Sequence, residues 1–455
     1  MKDLKIINGR IPDFETDTWK TADILIHQGI IEEVGTVAAE TRRTIDAVGK
    51  VVSPGFIDIH SHEDPISDGP NRFFTALCQL RMGVTTAVAG NCGENYDDLS
   101  DFCRFIKEQG SPVNYLMFVG QNRLRQQSGA ADRYAPSTKA QLDRQKRLLH
   151  DALPYGPVGL SCGLEYSPGI TTEETINLLS VMDDEDYLTS VHLRADGADS
   201  LPSIDELIEI VQRSGLPLEM SHIGSCSATG YMEEALARLR QARARGIDIT
   251  ADCYPYAAFC TYIGTTVFDE GCFEKWGKSY DAIFITGGEF KNRYCTRDIF
   301  EKVRRETPNM PVVAFVMNED EVIRACQEPF VMIGSDCGFE LGGGHPRSAG
   351  TFPRVLSRCV REKKALTLMD ALWKMTVLPA ERMRLSAKGQ VREGFDADLV
   401  IFDENAVADC ADFEHPFLPP RGIEYVILAG TVTAEGPRVT DSSAGRYIHR
   451  KERHV

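Results

Sequence analysis

The sequence predicts an α/β fold: a (β/α)8 TIM-like barrel joined to a small β-sandwich domain built from both chain termini. Three observations predict it. In the middle of the chain, short apolar runs alternate with amphipathic segments of helical period, and that alternation implies a parallel sheet. The runs number eight, the count that closes a barrel. Both ends of the chain read instead as short strands separated by turns, which together make one small domain.

The elements follow in order. Residues 1–52 contain strand-like runs at 4–8, 22–27, 30–34 and 44–46, with Asn8-Gly9 and Gln28-Gly29 supplying turns. Residues 53–389 form the barrel. Its apolar runs lie at 56–59, 84–89, 115–119, 158–161, 188–192, 218–222, 247–252 and 330–335, and helix-period stretches such as 172–182, 204–214 and 232–245 fill intervals between them. Between the seventh and eighth runs the chain makes a longer excursion, over about residues 265–325, that reads as an insert or lid. Residues 390–455 return to strands at 398–402 and 424–428, and Ala429-Gly430 turns the chain before 431–433.

Bulk composition narrows the function. Hydrophobic residues at 42% supply a sizeable core, and charged residues at 26% are ordinary for a soluble chain. A net charge of −17 argues against nucleic acid or an anionic membrane as partner. No apolar run of about 18 residues offers a transmembrane helix, and the start Met1-Lys2-Asp3-Leu4 lacks the apolar core of a signal peptide. Thirteen scattered cysteines without a CxxC pair fit reduced thiols in the cytoplasm better than a disulfide framework. The glycine-rich stretch 341–344 lacks the GxxxxGK[ST] spacing of a phosphate loop. A small molecule is the expected partner, and the sequence is compatible with an oligomer.

Phe56-Ile57-Asp58-Ile59-His60-Ser61-His62 is the sharpest chemical signal. Two histidines separated by one residue on a strand project from the same face, and at the strand's C-terminal end both reach one metal ion. Cys92, His192, His222 and Asp336 stand at or just past the ends of four other runs. Each alone has a plainer reading, since a lone cysteine is more often packing and a lone histidine structural. Barrel strand ends converge on one face, and that convergence groups six residues far apart in sequence. Four imidazoles, a thiol and a carboxylate are the donors of a divalent metal, best matched by zinc.

These residues stand in the motifs Val52-Ser53-Pro54-Gly55-Phe56-Ile57-Asp58-Ile59-His60-Ser61-His62, Gly90-Asn91-Cys92-Gly93, Gly163-Leu164-Glu165-Tyr166, His192-Leu193-Arg194, Ser221-His222, Asp252-Cys253-Tyr254-Pro255-Tyr256, Gly334-Ser335-Asp336 and His345-Pro346-Arg347. In these motifs the chain resembles the amidohydrolase superfamily, specifically its D-aminoacylase branch. The resemblance covers nearly the whole chain and is weakest over 265–315. It implies a metal-dependent hydrolase that cleaves the amide bond of an N-acyl-D-amino acid with one or two Zn2+ ions. By the resemblance, His60, His62 and Asp336 surround one metal position. Cys92, His192 and His222 hold the other, with Cys92 able to bridge in place of the carboxylated lysine of many relatives. Asp336 is implied as general base and then acid, with His62 or the metal stabilising the oxyanion. Tyr166 and Arg347 match the family's substrate contacts.

Two positions depart from the family pattern. Its Ser-His-His-Lys reads Ser221-His222-Ile223-Gly224 here, so the lysine that helps hold the substrate carboxylate is Gly224, and a family serine corresponds to Cys260. Arg194 shares the strand face of His192 if that strand continues, which makes it a candidate replacement or a structural ion-pair residue. The departure leaves room for an N-carbamoyl or cyclic amide substrate. In a different class stands a catalytically silent barrel retained as a binding protein.

Overall fold

The eight predicted runs form eight parallel strands: β1 (Phe56–Asp58), β2 (Val84–Ala89), β3 (Asn114–Gly120), β4 (Gly159–Gly163), β5 (Leu188–His192), β6 (Leu218–Met220), β7 (Ile249–Cys253) and β8 (Val331–Ile333). The computed structural model describes residues 1–66, 72–338 and 343–453, so Leu341 and Gly342 of the glycine-rich stretch lie outside it. Parallel ladders join the strands in sequence order from β1 to β8. The ring closes between β8 and β1 through a bridge from Ser61 to Cys337. There the His62 N–H donates to the Cys337 carbonyl at 2.8 Å, and the Asp336 N–H donates to that of His60 at 2.8 Å. Every residue of β2, Val-Thr-Thr-Ala-Val-Ala, is buried, because parallel barrel strands are covered on both faces.

Local signals set the helices around the barrel. Thr171 and Glu174 form a capping box at the start of Thr172–Leu179. Helix Ser200–Ser214 ends at Gly215, whose φ of 74° gives the left-handed turn that an L side chain resists. Strands β6 and β8 stop two residues short of their predicted ends. The cause is backbone geometry: His222 and Asp336 adopt φ of 33° and 50°, outside the extended region.

The two chain ends share one nine-stranded sheet. Strand Val51–Pro54 joins the halves, pairing parallel with Lys2–Asp13 and antiparallel with Leu399–Phe402. Buried Leu4, Ile6, Ile24 and Val52 from the front pack with Leu399, Ile401 and Ile427 from the back.

Between β7 and β8 lies an insert with a four-stranded antiparallel sheet, ordered Phe259–Tyr262, Pro311–Ala314, Ile283–Ile285, Arg293–Tyr294. It has its own apolar core, including Phe259, Phe268, Trp276, Phe300 and Val312. Helix Glu319–Gln327, which follows, packs on the barrel, with Val322, Ala325 and Cys326 in the main core. No helix among the described residues is long and apolar enough to cross a membrane.

Candidate active site

The C-terminal ends of five strands bring the six candidate ligands together. His60 and His62 follow β1, Cys92 follows β2, His192 ends β5, His222 follows β6 and Asp336 follows β8. They form two donor groups that share one thiol: Cys92 with His192 and His222, and Cys92 with His60, His62 and Asp336. Within each group the donor atoms all lie within 4.8 Å of one another. Cys92 Sγ is 3.4 Å from both His60 Nε2 and His222 Nε2.

Three of these residues, Cys92, His222 and Asp336, have positive φ. A non-glycine residue in the left-handed region costs on the order of 1 kcal/mol, and such strain gathers at functional sites. Neighbouring glycines make the turn at Cys92 possible. A Cβ on Gly163 would stand 2.1 Å from the Cys92 carbonyl oxygen, and one on Gly93 would stand 2.1 Å from Asn122 Oδ1.

Each imidazole is oriented from behind. Asp252 Oδ2 lies 2.9 Å from His60 Nδ1, Ser225 Oγ 2.8 Å from His222 Nδ1, and Glu165 Oε2 3.2 Å from His192 Nε2. An ionised carboxylate only accepts hydrogen bonds. The proton therefore sits on His60 Nδ1 and His192 Nε2, leaving a lone pair on His60 Nε2 and on His192 Nδ1. His192 Nδ1 is buried without a hydrogen-bond partner, as expected of an atom built to hold a metal. Sequence reasoning gave these three partners no role. For Asp252 and Glu165 the signal existed, since both stand at the C-terminal ends of barrel strands within the quoted motifs.

The electrostatics favour a cation at the shared thiol. Burial opposes ionisation of Cys92, but the imidazoles of His60 and His222 overcome it and hold the thiol well below its usual range. Burial likewise opposes ionisation of Asp336, and the Arg347 guanidinium, with Nη2 2.9 Å from Oδ2, outweighs it and keeps the carboxyl far below the ordinary carboxylate range. Burial also works against a charged His62, yet Asp336 and Cys92 beside it raise its pKa to about 9. A metal would compete with these protons and stand where they now balance Cys92.

A cavity of about 450 Å³ opens above the site, with His62, Cys92, Tyr166, Asp336 and Arg347 in its lining and Thr261 and Tyr262 of the insert in its wall. The Tyr166 hydroxyl lies 3.3 Å from Thr261 Oγ1. Arg347 is buried over the ring of Tyr254, 4.7 Å from its centroid. His345 fixes the approach to Arg347: its Nδ1 accepts the Arg347 N–H at 3.0 Å and its Nε2 meets the Ala258 carbonyl at 3.1 Å. Arg194 does not join this group. Its guanidinium grips both oxygens of Glu206, at 2.8 and 2.6 Å, because β5 ends at His192 and the strand face does not extend to it. The Gly224 position offers no opening either. A Cβ there would meet Cys253 Sγ at 3.0 Å and Met317 Cε at 3.2 Å.

Known proteins share this arrangement. A model of the amidohydrolase family matches residues 329–434. The chain is 32% identical to an N-acyl-D-glutamate deacylase of Alcaligenes xylosoxydans xylosoxydans, over 94% of this chain and 93% of the relative. It is 30% identical to a D-aminoacylase of the same organism, over 98% of each. Its fold superposes with a TM-score of 0.88, at 29% identity, on an N-acyl-D-glutamate deacylase from Bordetella bronchiseptica complexed with zinc and a phosphonate inhibitor that mimics the tetrahedral intermediate. That match covers 99% of this chain and 100% of the other.

Proposed function

Because this chain belongs to the D-aminoacylase family of the amidohydrolase superfamily, we propose that it hydrolyses the amide bond of an N-acyl-D-amino acid, with zinc held by Cys92, His192 and His222. One observation carries the reading: a buried thiol held ionised among imidazoles whose outer nitrogens are already occupied by Asp252, Ser225 and Glu165. His60, His62 and Asp336 supply donors for a second ion that shares Cys92. When bound, zinc lowers the pKa of a water molecule and polarises the scissile carbonyl.

The chain's own residues do the rest. Asp336 accepts a proton from the attacking water and returns it to the leaving nitrogen, as general base and then acid. Arg347 holds Asp336 in place and ionised. His62, with Nε2 3.3 Å from Asp336 Oδ1, stands where it can donate to the developing oxyanion. Arg347 and Tyr166 meet the free carboxylate of the amino acid, the guanidinium through its planar fork. Thirteen free cysteines suit a reducing cytoplasm, and a small-molecule amide is the partner such a cavity suits.

The closed pocket at Gly224 supports a second reading, in which the substrate is an N-carbamoyl or cyclic amide that lacks the contact a lysine would make. One screen separates the readings. Purified, zinc-loaded protein is offered N-acetyl-D-amino acids, their L forms, N-carbamoyl amino acids and cyclic amides, with Cys92→Ala as control. Zinc-dependent release of free D-amino acid is expected. Turnover confined to the other amides moves the substrate, and turnover by Cys92→Ala equal to wild type sinks the metal assignment.

A further inference from the structure

Resting on the zinc reading above, we propose that Lys275 is a positioning residue for His192, and that it links docking of the insert to retention of the metal. His192 reaches the insert in two steps. Its Nε2 lies 3.2 Å from Glu165 Oε2, and the other oxygen of that carboxylate, Oε1, lies 3.2 Å from Lys275 Nζ. The same ammonium is 2.9 Å from Asp196 Oδ1, and Trp276 Nε1 donates to Asp196 Oδ2 at 2.9 Å. Lys275 and Trp276 belong to the short helix Cys272–Trp276 of the insert, whereas Glu165 and Asp196 lie on the loops after β4 and β5.

Several features mark this as a built joint. Glu165 and Asp196 are buried, and Trp276 belongs to the insert's apolar core. Two buried carboxylates this close repel each other, and one ammonium between them holds both in place. Gly197 makes room for it: its φ is 66°, and a Cβ there would lie 3.1 Å from Lys275 Cγ and 3.3 Å from the Lys275 carbonyl oxygen. Thr266, also of the insert, donates its hydroxyl to the Glu165 carbonyl. The insert therefore grips Glu165 at backbone and side chain, and Glu165 alone sets which nitrogen of His192 faces Cys92.

The functional consequence is a linkage. Partners that orient a metal-binding histidine typically change metal affinity by about 10- to 100-fold when removed. If docking of the insert tightens metal binding by some factor, metal binding tightens docking by the same factor. The terminal sheet touches none of these residues, so the coupling belongs to the insert.

The test uses the full chain as wild type, Lys275→Met and Lys275→Arg. Methionine keeps the length and removes the ammonium; arginine restores the charge. Zinc retention is measured against a chromogenic chelator, and the thiolate–cobalt absorption band of Co2+-loaded protein reports the geometry at Cys92 and His192. Trypsin cleavage within 265–315 is followed in loaded and metal-stripped wild type. We expect Lys275→Met to lose zinc affinity by about 10- to 100-fold with a shifted cobalt band, Lys275→Arg to recover most of both, and stripped wild type to be cut faster in the insert. Unchanged affinity and cobalt band in Lys275→Met overturn the coupling while the zinc site stands. Wild type that takes up no stoichiometric zinc overturns the site itself and the coupling with it. If Lys275→Met fails to fold by circular dichroism, the cleavage comparison decides: equal rates with and without metal overturn the linkage.

Discussion

Replacing Asp336 by asparagine separates chemistry from structure at this site. The asparagine keeps a carbonyl oxygen for Arg347 Nη2, now 2.9 Å from Oδ2, but loses the charge and the ability to take a proton. Turnover should fall by roughly 10²- to 10⁴-fold, the usual contribution of a positioned general base. Zinc bound by Cys92, His192 and His222 should remain, since Asp336 belongs to the other donor group. The stability cost follows from the ion pair. Weakening a hydrogen bond to a charged group costs about 1.5–3 kcal/mol, whereas Asp336→Ala deletes the partner of a buried guanidinium and costs about 3–5 kcal/mol. The pH window also has a definite sign. The folded pKa of Asp336 lies far below the ordinary 3.8. Its stabilisation is therefore fully present above about pH 4 and fades only as the pH drops further, so the differences between variants should hold at pH 7. Turnover, zinc content and thermal unfolding of the three proteins test this. Turnover of Asp336→Asn within tenfold of wild type would refute the general-base role. Equal stability of the alanine and asparagine variants would refute the ion-pair argument.

Other outcomes follow from the same geometry. Gly224→Lys should not restore a carboxylate contact; its Cβ meets Cys253 and Met317, so unfolding should show a loss of roughly 1–3 kcal/mol, and a lowered KM would contradict this. Arg194→Ala should leave KM for N-acyl-D-amino acids within about twofold while stability drops by about 1 kcal/mol, because only the pair with Glu206 is lost; a large rise in KM would restore Arg194 to the site. Lys374 is buried, and burial pulls its pKa down to about 8 from 10.5. The unfolded chain therefore binds more protons than the folded one between those values. Relative to Lys374→Met, wild type should gain stability from pH 8 to 10, and melting temperatures that run parallel across that range would contradict the assignment.

What was legible in the sequence, and what was not, divides along physical lines. The barrel was legible because buried parallel strands must be continuous apolar runs, and all eight predicted runs became strands. The six candidate ligands were legible because metal chemistry restricts residue type and barrel topology restricts position to strand ends. Where either restriction lapses, inference from sequence weakens. Arg194 illustrates the second case: alternation along a strand carries no information past the last strand residue, which is His192. Gly224 illustrates the reverse gain. The sequence shows a missing lysine, but only the packing of Cys253 and Met317 shows that the space for it is missing too.

The partners behind the histidines are less legible for a different reason. Glutamate, aspartate and serine are common, and nothing local couples Asp252 to His60, 192 positions away, or Glu165 to His192, 27 away. Lys275 is the extreme case. It lies in the stretch where the resemblance is weakest, on a five-residue helix with no motif of its own, yet its ammonium is two contacts from a candidate metal ligand. A segment free to vary in sequence can thus still act on the metal, provided it presents one cation at one place. On this reasoning the insert shapes more than the cavity wall. It joins the substrate-facing surface to the orientation of His192, so substitutions that tune the insert toward different acyl or side-chain groups also act on how firmly the metal is held.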